Sequence, residues 1–276
     1  MESRDNKAIN QKFIFHFLML HHFSEHLMAT QFTVKIEAPE SDALRVRAVV
    51  EEMFDEIRRL ESLLSRFVED SDVARINRLC RGETIIISQE THRCLTLAQE
   101  AMMASNGHFS PAYLSLPQEN MENAFTLLSK PSRVRSETES LHIDLGAIGK
   151  GFALDLVANI PQSYGYDTFL LCADTSTILA VNPPDHVGWP VMPDGMSEDH
   201  VIVLNNNAIS CSGKSVRGEH IYHTGHHAFC ADRQRVCVLA KSATFADAFS
   251  TAAMNMTPDE LADLEQNYEV TVIAVS

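Results

Sequence analysis

A glycine-punctuated stretch, residues 142–155, constrains the fold of this chain more than any other segment. Its apolar start is typical of a strand end, and its continuation is typical of the first turns of a helix. Glycines at 146, 149 and 151 let the backbone approach a ligand, and the unpaired N–H groups of a helix start attract anions. With the positive charge of Lys150, the stretch predicts a phosphate site. The alternative is a strand-to-helix turn whose glycines serve only tight packing.

A second feature lies in the alanine-rich segment 245–254. A helix here would place Asp247 and Thr251 one turn apart on the same face. A carboxylate and a hydroxyl in this arrangement are hard oxygen ligands, which suit a cation bridged to phosphate oxygens. Such pairs are also common as solvated or capping residues. The pair therefore predicts a metal site only in combination with the glycine stretch.

Together the two segments resemble the ApbE family of FAD:protein FMN transferases. That family carries an Asp-Leu-Gly-(Gly/Ala)-Ile-(Ala/Gly)-Lys-Gly loop and a later Ala-Asp-Ala-x-(Ser/Thr)-Thr-Ala helix, and both are present here in that order. Weaker similarities follow the family's order at residues 28–30, 65–77, 107–111, 209–213 and 220–221. The resemblance implies an α+β fold with mixed or antiparallel sheets flanked by helices, in two intimately packed subdomains.

The resemblance also implies an activity, the transfer of the FMN part of FAD onto a Thr or Ser hydroxyl of an acceptor flavoprotein, with release of AMP. Asp247, Thr251 and the backbone carbonyl of Ala147 would bind Mg²⁺. Lys150 would bind phosphate, and His220 is the candidate base because an ordinary imidazole is partly neutral at pH 7. The other positions that the family pattern places at the cofactor are Met28, Phe67, Phe109, Ser110, Asp144 and Ile221.

Three departures from the family pattern are expected to lie along the organic parts of FAD. Ser110 replaces the usual Asp, residues 173–177 replace a glycine pair, and Tyr222-His223 replaces an Asp-Pro. Two alternatives therefore stay open. The protein could be a Mg²⁺-dependent FAD pyrophosphatase that yields FMN and AMP, or a catalytically silent flavin-binding member of the family.

The formal net charge of −15 argues against binding to nucleic acid, and it restricts any membrane association to contact through the acceptor protein. No C-x-x-C pair or metal-finger spacing joins the cysteines, so reduced core thiols in a reducing compartment are expected. The six cysteines are at positions 80, 94, 172, 211, 230 and 237.

We expect residues 1–27 to form a disordered N-terminal extension before a domain spanning 28–276. The apolar run 13–20 is too short to cross a bilayer, and no cleavage site or lipobox cysteine follows it. A cytoplasmic location is therefore expected, or a periplasmic one if the biological start differs. A metal site formed by His16, His21, His22 and His26 is the alternative for this segment.

Apolar periodicity predicts the remaining elements. A long helix is expected at 41–64, a helix capped by Ser88 to about residue 105, and a helix ended by Pro161. Residues 114–140 are expected to be a variable surface segment, and 201–210 a hairpin around 205–207. Further strands are predicted at 30–38, 83–87, 168–172, 177–181, 235–239 and 270–275.

Overall fold

The computed structural model describes residues 18–115, 123–192, 201–213 and 233–275. In chain order its strands are β1 (Leu18–Leu27), β2 (Thr30–Pro39), β3 (Thr84–Ile86), β4 (Phe125–Leu128), β5 (Arg133–Ser136), β6 (Phe169–Ala173), β7 (Thr177–Val181), β8 (Trp189–Val191), β9 (Ile202–Leu204), β10 (Ala208–Gly213), β11 (Arg235–Ala240) and β12 (Thr271–Val275). Its helices are α1 (Ala43–Leu64), α2 (Asp72–Ile76), α3 (Gln89–Ala104), α4 (Gly149–Val157), α5 (Asn159–Ser163), α6 (Ala243–Ala253) and α7 (Pro258–Tyr268).

A seven-stranded antiparallel sheet, in the order β1-β2-β6-β7-β10-β11-β12, is the central layer of this structure. Because side chains alternate along each strand, the sheet has two apolar faces. One face packs against α1, α3, α4 and α6 in the main core, which contains Phe32, Phe152, Phe169 and Phe249. A smaller cluster that includes Trp189 joins the other face to the β8–β9 pair. The predicted α+β class of antiparallel sheets with flanking helices is confirmed.

Local chemistry explains where the helices begin. The Ser71, Ser88, Ser242 and Thr257 side chains each accept a hydrogen bond from a backbone N–H in the first turn of α2, α3, α6 and α7. The helix α1 buries one apolar stripe against the sheet, as its periodicity predicts. The predictions for β2, α1, α3, β7 and β11 are confirmed within one or two residues.

The N-terminal boundary needs correction, because residues 18–27 were expected to be disordered and instead form β1. This strand pairs with β2 along its full length through a turn in which Met28 and Ala29 have φ angles of 48° and 57°. The bidentate contact between Arg58 and Glu25 also ties β1 to α1. The sequence prediction failed here because most β1 side chains are exposed and carry no apolar pattern.

Other predicted elements also differ from the structure. Residues 114–140 contain β4 and β5, which pair with β3 in a separate small sheet. The predicted hairpin at 201–210 is wrong, because β9 pairs with β8 while β10 lies between β7 and β11. Pro161 lies inside α5 rather than ending a helix, since proline is tolerated in a first turn, where the N–H has no helical partner. None of the described helices is long and apolar enough to cross a membrane.

A disulfide joins Cys211 of β10 to Cys237 of β11, so the prediction of reduced thiols is wrong for this pair. The two residues lie directly opposite each other in the antiparallel register, with their Cα atoms 4.0 Å apart. They are separated by 26 positions in the sequence, and only the pairing of the two strands brings them together. Of the other cysteines in the described ranges, Cys80, Cys94 and Cys172 are free thiols.

The disulfide gives a direct chemical prediction. Denatured, non-reduced protein should expose two fewer reactive thiols than protein denatured after reduction, because Cys211 and Cys237 are joined. The variant C211A/C237A should lose roughly 2–4 kcal/mol in free energy of unfolding, the range expected for removal of a native cross-link. Thiol titration and urea unfolding would measure the two effects. Equal thiol counts before and after reduction would contradict the assignment.

The loop after α3 is tied to α7 by His108, whose Nε2 atom lies 3.1 Å from Oε1 of Glu260. Glu260 also accepts a hydrogen bond from the Thr257 backbone N–H in a capping box. Burial disfavours the charged carboxylate, but the Thr257 and His108 hydrogen bonds outweigh burial and lower the pKa of Glu260 to about 2. The loop that leads to Ser110 is therefore anchored at a distant helix start.

A pH dependence follows, because the folded pKa of Glu260 is below its ordinary value of 4.5. The stabilisation is fully present above pH 4.5 and is lost as the pH falls towards 2. The wild type should therefore be more stable than E260Q at pH 7, and the difference should shrink as the pH falls below 4.5. Urea unfolding of both proteins from pH 7 to 3 would measure this. A difference that does not change with pH would contradict the assignment.

Candidate active site at the junction of two helices

The glycine stretch and the alanine-rich helix meet at Gly151. Its backbone N–H donates a hydrogen bond to Oδ2 of Asp247 at 3.1 Å. A Cβ atom at this position would lie 2.1 Å from the carbonyl oxygen of Ala243, so only glycine allows α4 to approach α6 this closely. For Gly151 the packing alternative is therefore correct, and that close packing also brings the two predicted sites together.

Lys150 and Asp247 form a buried ion pair at this junction. The Lys150 Nζ atom lies 3.4 Å from both carboxylate oxygens and 3.4 Å from the carbonyl oxygen of Gly146. The two side chains are only 11% and 5% exposed, so both charges are largely removed from water and depend on each other. The residues predicted to bind phosphate and metal therefore lie in one site.

Hydroxyl groups from the central sheet complete the surroundings of Asp247. Thr177 of β7 and Ser210 of β10 each place a hydroxyl oxygen 3.3 Å from Oδ1 of Asp247, and the two hydroxyls lie 3.0 Å apart. Thr251 instead donates to the Asp247 backbone carbonyl at 3.5 Å and lies 3.2 Å from the Ser212 hydroxyl. Burial, followed by the nearby charge of Asp247, raises the pKa of the Cys94 thiol.

The sequence pattern indicates no role for the Thr177 hydroxyl. This residue belongs to the segment 173–177, which was expected to lie along the organic parts of FAD, yet its hydroxyl contacts Asp247. Thr177 is therefore an additional hydrogen-bond partner of Asp247. Ser210 lies in the segment 209–213 that was already noted for its resemblance, so a signal for it was present.

Asp155, the last residue of the glycine stretch, caps α6 from the neighbouring helix. Its carboxylate accepts hydrogen bonds from the backbone N–H groups of Ala243 and Thr244 and from the hydroxyls of Ser242 and Thr244, at 2.6–2.9 Å. A negative charge at a helix N-terminus is favourable. Asp155 therefore fixes the start of the helix that carries Asp247 and Thr251.

Residues 142–145 were expected to end a strand but form none. Asn77 holds them instead, because its side-chain amide both donates to and accepts from the backbone of Ile143. Asp144 comes next, and its Oδ1 atom accepts from the Gly146 N–H at 2.8 Å. Its Oδ2 atom accepts from the Tyr113 hydroxyl at 3.1 Å and lies 3.2 Å from Nε of Arg66. Protein groups therefore engage both oxygens of this predicted cofactor contact.

The other predicted cofactor residues differ in their exposure and position. Phe67 is 82% exposed, with its ring 4.4 Å from the Arg66 guanidinium carbon, and is open to a ligand. The Met28 methyl lies 4.0 Å from where a Cβ of Gly149 would be, next to the glycine loop. Phe109 and Ser110 are buried, and Ser110 accepts a hydrogen bond from the N–H of Ala112 within its own loop. His220, Ile221 and the Tyr222-His223 departure lie outside the described residues.

The residues around Asp247 fit a magnesium ion in their chemistry. The described part of the chain contains no group of three or more His, Cys, Asp or Glu side chains that would suggest a metal held by protein alone. Magnesium is commonly bound by one or two carboxylates together with substrate phosphates, however, and Asp247 with its surrounding hydroxyls supplies such hard oxygens. The Lys150 ammonium shows that this position holds a positive charge. Ala147 is half-buried in the adjoining loop.

Comparisons with known proteins find similar sequences and a similar fold. The FAD:protein FMN transferase of Vibrio cholerae serotype O1 is 23% identical, over 92% of this chain and 86% of that protein. The fold is similar to that of solved flavin transferases named ApbE, from Vibrio cholerae (TM-score 0.77, 20% identity, 93% of each chain) and from Pseudomonas stutzeri in its apo form (TM-score 0.75, 20% identity, 94% of this chain and 96% of that one). The ApbE protein of Thermotoga maritima gives a TM-score of 0.78 at 21% identity, over 93% of this chain and 94% of that one.

The sequence profile described as the ApbE family matches residues 28–274, which is most of the chain and includes both the glycine stretch and α6. The protein therefore belongs to the ApbE family.

Proposed function

We propose that this protein is a flavin transferase that moves the FMN part of FAD onto a Thr or Ser hydroxyl of an acceptor flavoprotein and releases AMP. The buried Lys150–Asp247 pair is the observation that carries the proposal, because the proposed phosphate-binding cation lies next to the proposed metal-binding carboxylate. Membership of the ApbE family and the name of the Vibrio cholerae relative support flavin transfer.

The reaction requires one bond to form and one to break. The acceptor hydroxyl oxygen bonds to the phosphorus of the FMN half, while the P–O bond to the AMP half breaks and AMP leaves. The hydroxyl proton passes to a base, for which His220, outside the described residues, stays the candidate. Bound Mg²⁺, held by Asp247, the Thr251 hydroxyl and the Ala147 carbonyl, would supply positive charge to the pyrophosphate oxygens.

Lys150 has the properties that a phosphate ligand needs at this point. Its three oxygen neighbours all lie at 3.4 Å, at the long end of the hydrogen-bond range, so the ammonium is shared rather than held by one strong partner. A phosphate oxygen offers a shorter, charge-assisted hydrogen bond. The backbone N–H groups at the start of α4 add little to this, because those of Gly149, Gly151 and Phe152 already donate to Leu145, Asp247 and Ile148.

The flat rings of FAD need an apolar surface near these phosphates. Phe67 offers one, because its ring is exposed and already contacts a cation on one side. Phe109 and Ser110 are poorer candidates for direct contact, because both are buried and the Ser110 hydroxyl already has a partner. Phe67 is therefore the proposed stacking residue for the cofactor.

The cellular compartment stays a prediction. The cytoplasmic expectation depended partly on reduced cysteines, and the Cys211–Cys237 disulfide removes part of that support. Disulfides persist mainly in oxidising compartments, so the disulfide weighs against the cytoplasm. The acceptor flavoprotein, which the proposed reaction requires, must occur in the same compartment.

One assay separates the proposed transferase from the two alternatives. The protein is incubated with FAD, Mg²⁺ and a panel of Thr- and Ser-containing peptides, and AMP and flavin-labelled peptide are measured by mass spectrometry. The transferase should produce both, and chelation of Mg²⁺ should stop the reaction until Mg²⁺ is restored. AMP and FMN without labelled peptide would instead indicate a pyrophosphatase. FAD binding without AMP would indicate a silent member of the family.

A substitution at Asp247 tests the site itself. The variant D247N keeps the side-chain shape but removes the charge that holds both Lys150 and a metal, so AMP release should fall at least about a hundredfold. D263N, which alters an exposed carboxylate on α7, is the matched control and should retain activity. Unchanged turnover in D247N would contradict the proposed metal and phosphate site.

A further inference from the structure

Arg66 connects two parts of the proposed flavin site. Its Nε atom lies 3.2 Å from Oδ2 of Asp144, and its guanidinium carbon lies 4.4 Å from the centre of the Phe67 ring. Among the described residues the Nε atom has no hydrogen-bond partner, so its contact with Asp144 is an ion pair without a hydrogen bond, and the guanidinium charge lies over the Phe67 ring. Arg66 is itself only 31% exposed, although the adjacent Phe67 is almost fully in solvent.

Asp144 is held by the protein on both of its oxygens. Gly146 donates to Oδ1 at 2.8 Å, whereas Tyr113 donates to Oδ2 at 3.1 Å and Arg66 pairs with the same oxygen. The side chain is only 17% exposed, so little of this carboxylate is left for a ligand. Asp144 is therefore placed to hold the glycine loop rather than to contact the cofactor directly.

These contacts form a continuous path between the proposed ring-binding and phosphate-binding parts of the site. Phe67 contacts Arg66, Arg66 pairs with Asp144, and Asp144 accepts the N–H of Gly146. The carbonyl of Gly146 in turn lies 3.4 Å from Nζ of Lys150. The ring surface and the phosphate-binding cation are therefore linked through side chains and one short loop.

We propose that Arg66 is a positioning residue for the flavin substrate, which acts by holding the Phe67 ring in a fixed relation to the Asp144 loop. The proposal rests on the proposed function. An exposed aromatic ring without packing partners would occupy several rotamers, and ordering it on binding would cost entropy. The Arg66 contact limits that cost before substrate arrives, so it strengthens binding of FAD rather than the chemical step. Tyr113 assists by holding the shared carboxylate.

The test separates binding from chemistry. The FAD dissociation constant is measured by fluorescence with wild type and variants, and kcat and KM are measured from AMP release with Mg²⁺ and acceptor peptide. The variant R66M keeps the apolar stem but loses the ion pair and the cation. It should raise both the dissociation constant and KM about tenfold and leave kcat within about twofold. R66K should recover only part of the loss, because an ammonium lacks the planar face and edge.

Two further variants identify the mechanism. Y113F removes one hydroxyl that holds Asp144, so it should weaken FAD binding about threefold without an effect on kcat. The double variant R66M/D144N should bind FAD no more weakly than the more damaging of its two single variants, because both substitutions act through one contact. R58M removes an ion pair of similar exposure to Glu25, away from these residues, and should leave FAD affinity unchanged.

The outcomes distinguish this inference from the proposed function. FAD binding and turnover in the wild type, with unchanged affinity in R66M and Y113F, would overturn the role of Arg66 and leave the transferase intact. A fall in kcat with constant KM would also overturn it. A wild type that neither binds FAD nor releases AMP would overturn both proposals. If R66M does not fold, the FAD affinity of Y113F alone tests the proposal, because this substitution removes a single oxygen atom and should leave the fold intact.

Discussion

The buried ion pair between Lys150 and Asp247 is the interaction on which the site depends. A lone buried charge at either position would be strongly unfavourable, so the glycine stretch and α6 must stay together for the fold to be stable. Two other contacts enforce the same approach. Gly151 permits near-contact between the helix backbones, and Asp155 caps the start of α6. The motif residues therefore shape the fold, and the packing that they allow assembles the proposed site.

The central sheet carries the site on one face and the disulfide on the other. Along β10, Ser210 and Ser212 contact the residues of α6, whereas Cys211 between them joins Cys237 within the second apolar cluster. Strand alternation makes this arrangement unavoidable once the register is set. The cross-link therefore fixes β10 against β11 directly behind the hydroxyl that contacts Asp247, and the rigidity of the site depends on both faces of the sheet.

Local sequence patterns predicted the parts of the site that are contiguous in the chain. The glycine turn, the helix that carries Asp247 and the capping role of Ser88 follow from spacing and residue chemistry alone. Contacts between distant segments could not be predicted, since nothing in the sequence around Thr177 or Arg66 indicates a partner more than sixty positions away. The strand β1 was missed for a different reason, because an edge strand with exposed side chains lacks the alternation that marks a buried face.

The site divides into a rigid part and an open part. Asp247 and its hydroxyl partners are buried and cross-linked by hydrogen bonds from three elements. The ring surface at Phe67 lies on an exposed loop between α1 and α2 and has few fixed neighbours. Preorganisation there must come from side-chain contacts rather than from the core. Arg66, which lies on this exposed loop, and Tyr113 both contact Asp144 in the glycine stretch. The Asp144 carboxylate therefore connects the rigid part of the site to the open part.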